Sequence, residues 1–145
     1  VKDIGVSIKL DTNGTNPQMI KTVYENGLVD YIAMDIKNDK ENYAEIIGFN
    51  VFDTQKIEQS IDYIMSCKIK YEFRTTIIKE YHSENNIKNI GKWISGAEKY
   101  FMQKFVGGDN CLTSGLNEVP LTTAKHFLDI VSGYVKSAHL RGYDL

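Results

Sequence analysis

The stretch Asp30-Tyr-Ile-Ala-Met-Asp-Ile-Lys37 decides the fold of this chain. Side chains alternate across a strand with a period of two. Ile32, Met34 and Ile36 therefore share one face, and Tyr31, Ala33, Asp35 and Lys37 share the other. The strand is apolar until its carboxyl end, where a carboxylate is followed two residues later by an ammonium. In α/β proteins that end of a strand is where ligands bind.

The sequence on either side repeats the pattern. Upstream, Val6–Leu10 reads as a strand and Thr12-Asn13-Gly14 as a turn. Asn16 with Pro17 behind it starts a helix that stops at Gly27. Downstream, a polar loop leads to a helix capped near Asp53 or Thr54, with Ile57, Ile61, Ile64 and Met65 in one apolar stripe. Tyr71–Ile78 is a third strand, rich in aromatic and β-branched residues. Ser83 caps a helix that turns Ile87, Ile90, Gly91 and Ile94 to one side, and Lys99–Val106 is a fourth strand ended by Gly107-Gly108-Asp109. After Pro120, Thr122 starts a helix carrying Phe127, Leu128, Ile130 and Val131, and Ser137–Arg141 is the last strand.

Strands that alternate with helices imply right-handed crossovers and a parallel sheet, here within a single domain over residues 1–145. The sheet is either open and doubly wound or part of a barrel. Parallel strands buried on both faces read as continuous hydrophobic runs, and these do not. Lys9 and Asp11 oppose Val6, Ile8 and Leu10; Glu72, Arg74 and Thr76 oppose Tyr71, Phe73 and Thr75; Gln103 opposes Met102 and Lys104. One face packs under helices while the other carries charges of both signs. Buried charges must be paired or bind something, and a polar barrel lumen open to a ligand satisfies that.

Composition narrows the function classes. With 42% hydrophobic and 25% charged residues, the chain has the make-up of an ordinary globular domain. A formal net charge of −2 gives no electrostatic footprint for nucleic acid or an anionic membrane. No apolar run approaches spanning length and no signal-peptide pattern opens the chain, so a cytoplasmic location is expected. Cys67 and Cys111 lack metal-type spacing and read as reduced thiols.

Asp11, Asp35, Lys37 and Arg74 fall near the carboxyl ends of three strands, where a barrel would gather them around one mouth. Cations there hold a carboxylate; aspartates hold a hydroxyl, an amine or a metal ion. The alternative is an ion-pair network with no ligand. The backbone of Asp11-Thr12-Asn13-Gly14, between strand and helix, either faces a ligand or makes a plain turn. Lys37 also suits a Schiff-base nucleophile, as in barrel lyases, although the neighbouring Asp35 favours the charged amine. His82, His126 and His139 have no ligand spacing and read as structural or surface residues, with His82 in a loop on the ligand side. Trp93 reads as packing on a helix.

Five motifs in order carry a resemblance: KLDTNGTNP at 9–17, VDYIAMDIK at 29–37, YEFRTTII at 71–78, FMQKF at 101–105 and LRGY at 140–143. The set resembles the later part of radical S-adenosylmethionine (SAM) activating enzymes, those related to the activator of anaerobic ribonucleoside-triphosphate reductase and the pyruvate formate-lyase activating enzymes. The resemblance implies a partial (β/α)6 barrel in which a 4Fe-4S cluster binds and reductively cleaves SAM. The resulting 5′-deoxyadenosyl radical takes a hydrogen from a glycine of a partner glycyl radical enzyme, with an electron donor as second partner. By position, Asp11, Thr12, Asn13, Asp35 and Lys37 would surround SAM, with Arg74 and Gln103 as further lumen contacts.

The chain departs from that family in lacking its CxxxCxxC loop and the glycine-rich acidic motif of the second strand. Both belong before Val1 in the family's order. The chain is therefore expected to be the C-terminal portion of such an enzyme, an incomplete parallel (β/α) barrel lacking the first two βα units. No catalytic residue, metal or bound cofactor is expected in the isolated chain, which should be inactive and self-associate through its exposed first strand edge or open lumen. A non-catalytic scaffold or interaction domain and a Lys37 Schiff-base lyase are the alternatives.

Overall fold

The computed structural model describes residues 5–107 and 115–144. Its strands are β1 (Lys9–Thr12), β2 (Tyr31–Asp35), β3 (Lys70–Ile77), β4 (Tyr100–Lys104) and β5 (Ala138–Arg141). Its helices are α1 (Pro17–Glu25), α2 (Tyr43–Ile47), α3 (Gln55–Ser66), α4 (Glu84–Trp93) and α5 (Leu121–Val131). The strands form one sheet in the order β1-β2-β3-β4-β5, and every neighbouring pair is parallel. In a doubly wound sheet the strand order reverses direction partway. Here it never does, so right-handed crossovers put every helix on the same face. The result is the wall of an incomplete parallel barrel, with one face covered and one open.

The covered face holds the core. Ile32, Met34 and Ile36 of the β2 segment, Phe73 and Ile77 of β3, and Tyr100 and Met102 of β4 are fully buried. They join one cluster with Ile20, Ile57, Ile61, Ile64, Ile87, Ile90 and Val131 from the helices. Burying each such side chain stabilises the fold by roughly 1.5–3 kcal/mol relative to leaving it exposed. The helices begin where side chains satisfy their first free N–H groups. Asn16 Oδ1 accepts from Met19 N–H at 3.0 Å, and Ser83 and Asn86 form a reciprocal capping box. Gly91 of α4 is a packing requirement, because a Cβ there would lie 2.6 Å from the Tyr134 ring.

Two elements differ from the sequence reading. β1 runs Lys9–Thr12 instead of Val6–Leu10, in register from Lys9↔Tyr31 to Thr12↔Met34. The alternation of Val6, Ile8 and Leu10 gives a face but not an extent. The Ile8 N–H is taken by the Asp30 carboxylate at 2.8 Å, and Val6 stays exposed. The second difference is α2, which lies inside the stretch read as a polar loop. Five residues ended by Gly48 at φ +81° are too short to show a helical period. Elsewhere the boundaries move by no more than one or two residues.

Candidate functional site

The open face gathers the charges that the strands place at its carboxyl end. Asp35 and Arg74 are register partners on β2 and β3. Arg74 donates from Nε to Asp35 Oδ1 at 3.1 Å, brings Nη2 to 3.0 Å from the same oxygen and Nη1 to 3.5 Å from Asp11 Oδ1. Lys37 Nζ stands 3.5 Å from Asp35 Oδ2. One guanidinium thus ties two aspartates together while a lysine flanks them. The cluster is graded in exposure: the Arg74 side chain is 18% exposed, Asp35 35%, Lys37 44% and Asp11 65%. Its two outer members, one anionic and one cationic, keep most of their hydrogen-bonding capacity for solvent or a ligand.

The structure brings Asp11, Asp35, Lys37 and Arg74 together. Thr12 is buried at the end of β1, and Asn13 follows in an exposed turn. The backbone N–H groups there serve the turn itself: Gly14 N–H donates to Thr12 Oγ1 at 3.1 Å and Thr15 N–H to Asn13 Oδ1 at 3.0 Å. Gln103 is exposed on β4, in register between Thr76 and Arg141.

A second charged group lies lower on the same face, and the sequence reading did not select it. The Glu72 side chain, 5% exposed, accepts from Tyr31 Oη at 3.0 Å and from Arg141 at 3.3 Å, with Lys9 Nζ at 3.8 Å. Burial, and then the hydrogen bond to Glu72 and its charge, push the Tyr31 phenol up to about 12. Arg141 stacks on Phe101 at 3.9 Å, and Phe101 stacks on His139. Glu72 was visible as a polar-face residue, but its partners arrive from three other strands, which local spacing does not show.

Of the remaining candidates, His82 is buried while His126 and His139 are exposed; His126 pairs with Glu84 at 3.2 Å. Trp93 packs edge-on against Tyr43, with Lys40 Nζ 5.4 Å from the centre of its own ring. Cys67 follows α3 and donates its thiol to Ile64 O at 3.3 Å. Gly108, Asp109 and Cys111 lie outside the described residues. Among the described residues no three His, Cys, Asp or Glu side chains converge to hold a metal ion, and no helix is long and apolar enough to cross a membrane. A groove of about 450 Å³ on the helix-covered side is lined by Asp39, Lys40, Glu58, Lys92 and Trp93. Lys40 there is paired with Glu58 at 2.6 Å, closer than the 3.5 Å between Lys37 and Asp35 on the open face.

No protein-family profile matches the chain. A protein of Methanocaldococcus jannaschii, described as a "Putative glycyl-radical enzyme activating enzyme", is 32% identical over 107 residues, which cover 72% of this chain and 45% of that protein. The chain thus spans less than half the length of this relative. A crystal structure of a domain of pyruvate-formate lyase-activating enzyme from Bacteroides vulgatus superposes with a TM-score of 0.75 at 15% identity, over 97% of this chain and 84% of that one. The two share a fold.

Proposed function

We propose that this chain is the SAM-holding wall of a radical SAM enzyme that activates a glycyl radical enzyme. The observation that carries the reading is the cluster of Asp11, Asp35, Lys37 and Arg74 at the carboxyl end of a singly wound parallel wall. The similarity to a described glycyl-radical enzyme activating enzyme, over 72% of the chain, supports it.

The donor set fits the amino-acid end of SAM. That end carries an ammonium and a carboxylate, and the cluster presents two anions and two cations with one of each sign most exposed. In this reading Asp11, with Asp35 behind it, receives the ammonium. Lys37 meets the carboxylate as a point charge, and Arg74 bridges the two aspartates and orients them. Asn13 and Gln103 border the same mouth, whereas Thr12, in register with Met34, turns its side chain to the covered face and can offer the mouth only its backbone. When bound and reduced in such enzymes, SAM supplies a radical that abstracts hydrogen.

The residues do not fit a 4Fe-4S cluster. The sequence has two cysteines, and Cys67 stands at the opposite end of the sheet from the mouth, where α3 leads into β3. Cluster chemistry, the electron donor and the glycyl partner therefore lie beyond what these 145 residues supply, and the isolated chain is expected to be inactive.

Calorimetric titration of the chain with SAM tests the reading. Weak binding is expected, with a dissociation constant on the order of 1 mM, abolished in Asp35→Asn and Lys37→Met. No heat up to about 10 mM SAM, ten times that constant, would sink the proposal. Borohydride trapping of Lys37 on carbonyl compounds, with no response to SAM, would point to a Schiff-base lyase instead.

A further inference from the structure

β2 ends at Asp35, yet the backbone continues in a fixed path to Lys37. Ile36 N–H still donates to Arg74 O at 2.7 Å. Beyond that, side chains replace the ladder. Thr75 Oγ1 donates to Ile36 O at 2.7 Å, Lys37 N–H donates to Tyr43 Oη at 3.2 Å, and His82 Nε2 lies 2.9 Å from Lys37 O. Asn38 Nδ2 then donates to Tyr81 O at 3.0 Å. His82 is 3% exposed. Its Nδ1 accepts from Ile78 N–H at 2.9 Å, which puts the ring proton on Nε2, donated to Lys37 O.

An imidazole with both nitrogens engaged by main chain has nothing left to offer a ligand. Its two nitrogens, on opposite edges of a rigid ring, instead join the segment after β3 to the segment after β2. Resting on the reading of Lys37 as a ligand-facing residue, we propose that His82 is a positioning residue for Lys37, holding its carbonyl from the helix-covered side so that the ammonium stays at the open mouth. Leu at this position would fill the same space but leave the Lys37 carbonyl and the Ile78 N–H without partners, a loss felt first by that loop.

Amide hydrogen exchange on the whole chain tests this, comparing wild type, His82→Leu and His82→Gln. In His82→Leu, exchange at Lys37, Asn38 and Asp39 accelerates about tenfold or more, while Phe73 and Met102 stay within about twofold. His82→Gln, which keeps a donor for the Lys37 carbonyl, restores most of the protection. The SAM-induced shift of the Lys37 amide disappears in His82→Leu and returns in His82→Gln. If wild type shows no SAM-induced shift, the functional reading fails, and the exchange rates alone still decide the role of His82. Unchanged exchange at 37–39 in a folded His82→Leu, or acceleration spread equally over β3 and β4, overturns the proposal. Should His82→Leu fail to fold, ring nitrogen shifts of wild type decide it: a proton on Nδ1 at neutral pH contradicts the clamp, and a proton on Nε2 supports it.

Discussion

The end of β2 separates two polar clusters of opposite character. On the open face, Asp11, Asp35, Lys37 and Arg74 meet at 3.0–3.5 Å with their outer members largely in solvent. On the covered face, buried Asp39 is saturated. Its Oδ1 accepts from Asn42 N–H at 3.0 Å and Asn42 Nδ2 at 2.7 Å, and its Oδ2 accepts from Asn86 Nδ2 at 3.0 Å and Asn89 Nδ2 at 3.2 Å. Burial works to raise the Asp39 carboxyl, but the hydrogen bonds outweigh it and hold the group below its ordinary value. One cluster has capacity to spare and suits binding. The other has none and fastens the loop after β2 to α4.

The largest expected effect comes from breaking the saturated cluster. Asp39→Ala strands the side chains of three asparagines and should cost about 3 kcal/mol of stability in urea unfolding. Asp35→Asn should cost no more than about 1 kcal/mol, because ion pairs still reached by solvent contribute little and the amide keeps an oxygen for Arg74. Equal losses would erase the distinction. Next come the packed and open surfaces themselves. Gly91→Ala should destabilise by about 1–3 kcal/mol because the new methyl meets Tyr134, although helix propensity alone would favour Ala by about 1 kcal/mol. Gln103→Ala on the open face should change stability by no more than about 0.5 kcal/mol.

A smaller effect follows from pH. Burial drives the His82 imidazole below its ordinary value, against the pull of its bonds to Lys37 and Ile78 and the charge of Asp39. The unfolded chain then binds the proton more readily than the folded one, so stability rises with pH in that window. The contribution is complete above about pH 6.5 and fades as pH falls toward the lower folded value. Asp39 also has a lowered folded value, so its contribution is present above about pH 4 and fades below it. Urea midpoints at pH 7.5, 5.5, 4.5 and 2.5 should show both steps, with the upper one missing in His82→Gln. The smallest effect concerns the sheet edge. β1 bonds to β2 on one side, and weak self-association through its other side or the open face should appear in ultracentrifugation as concentration rises. A monomer at every concentration contradicts it.

The fold and the meeting of the open-face charges were legible in the sequence for the same reason. Period-two alternation in Asp30–Lys37 and Tyr71–Ile78 gives both the parallel strands and the side of the sheet on which Asp35 and Arg74 stand. Chain order then predicts which strands neighbour each other. What stayed hidden depends on distance along the chain. Glu72 is satisfied by residues from β1, β2 and β5, and Asp39 by side chains on α4, 47 and 50 residues away. His82 read as structural or surface, and only the structure shows its ring against the Lys37 carbonyl.

The central claim is that the open-face cluster holds SAM. Mapping SAM-induced amide shifts over the isotopically labelled chain tests it most directly. The account predicts shifts concentrated at Asp11–Asn13, Asp35–Lys37 and Arg74, weak in affinity and absent in Lys37→Met. Shifts confined to the covered-side groove around Asp39, Lys92 and Trp93, or none at all, would contradict it.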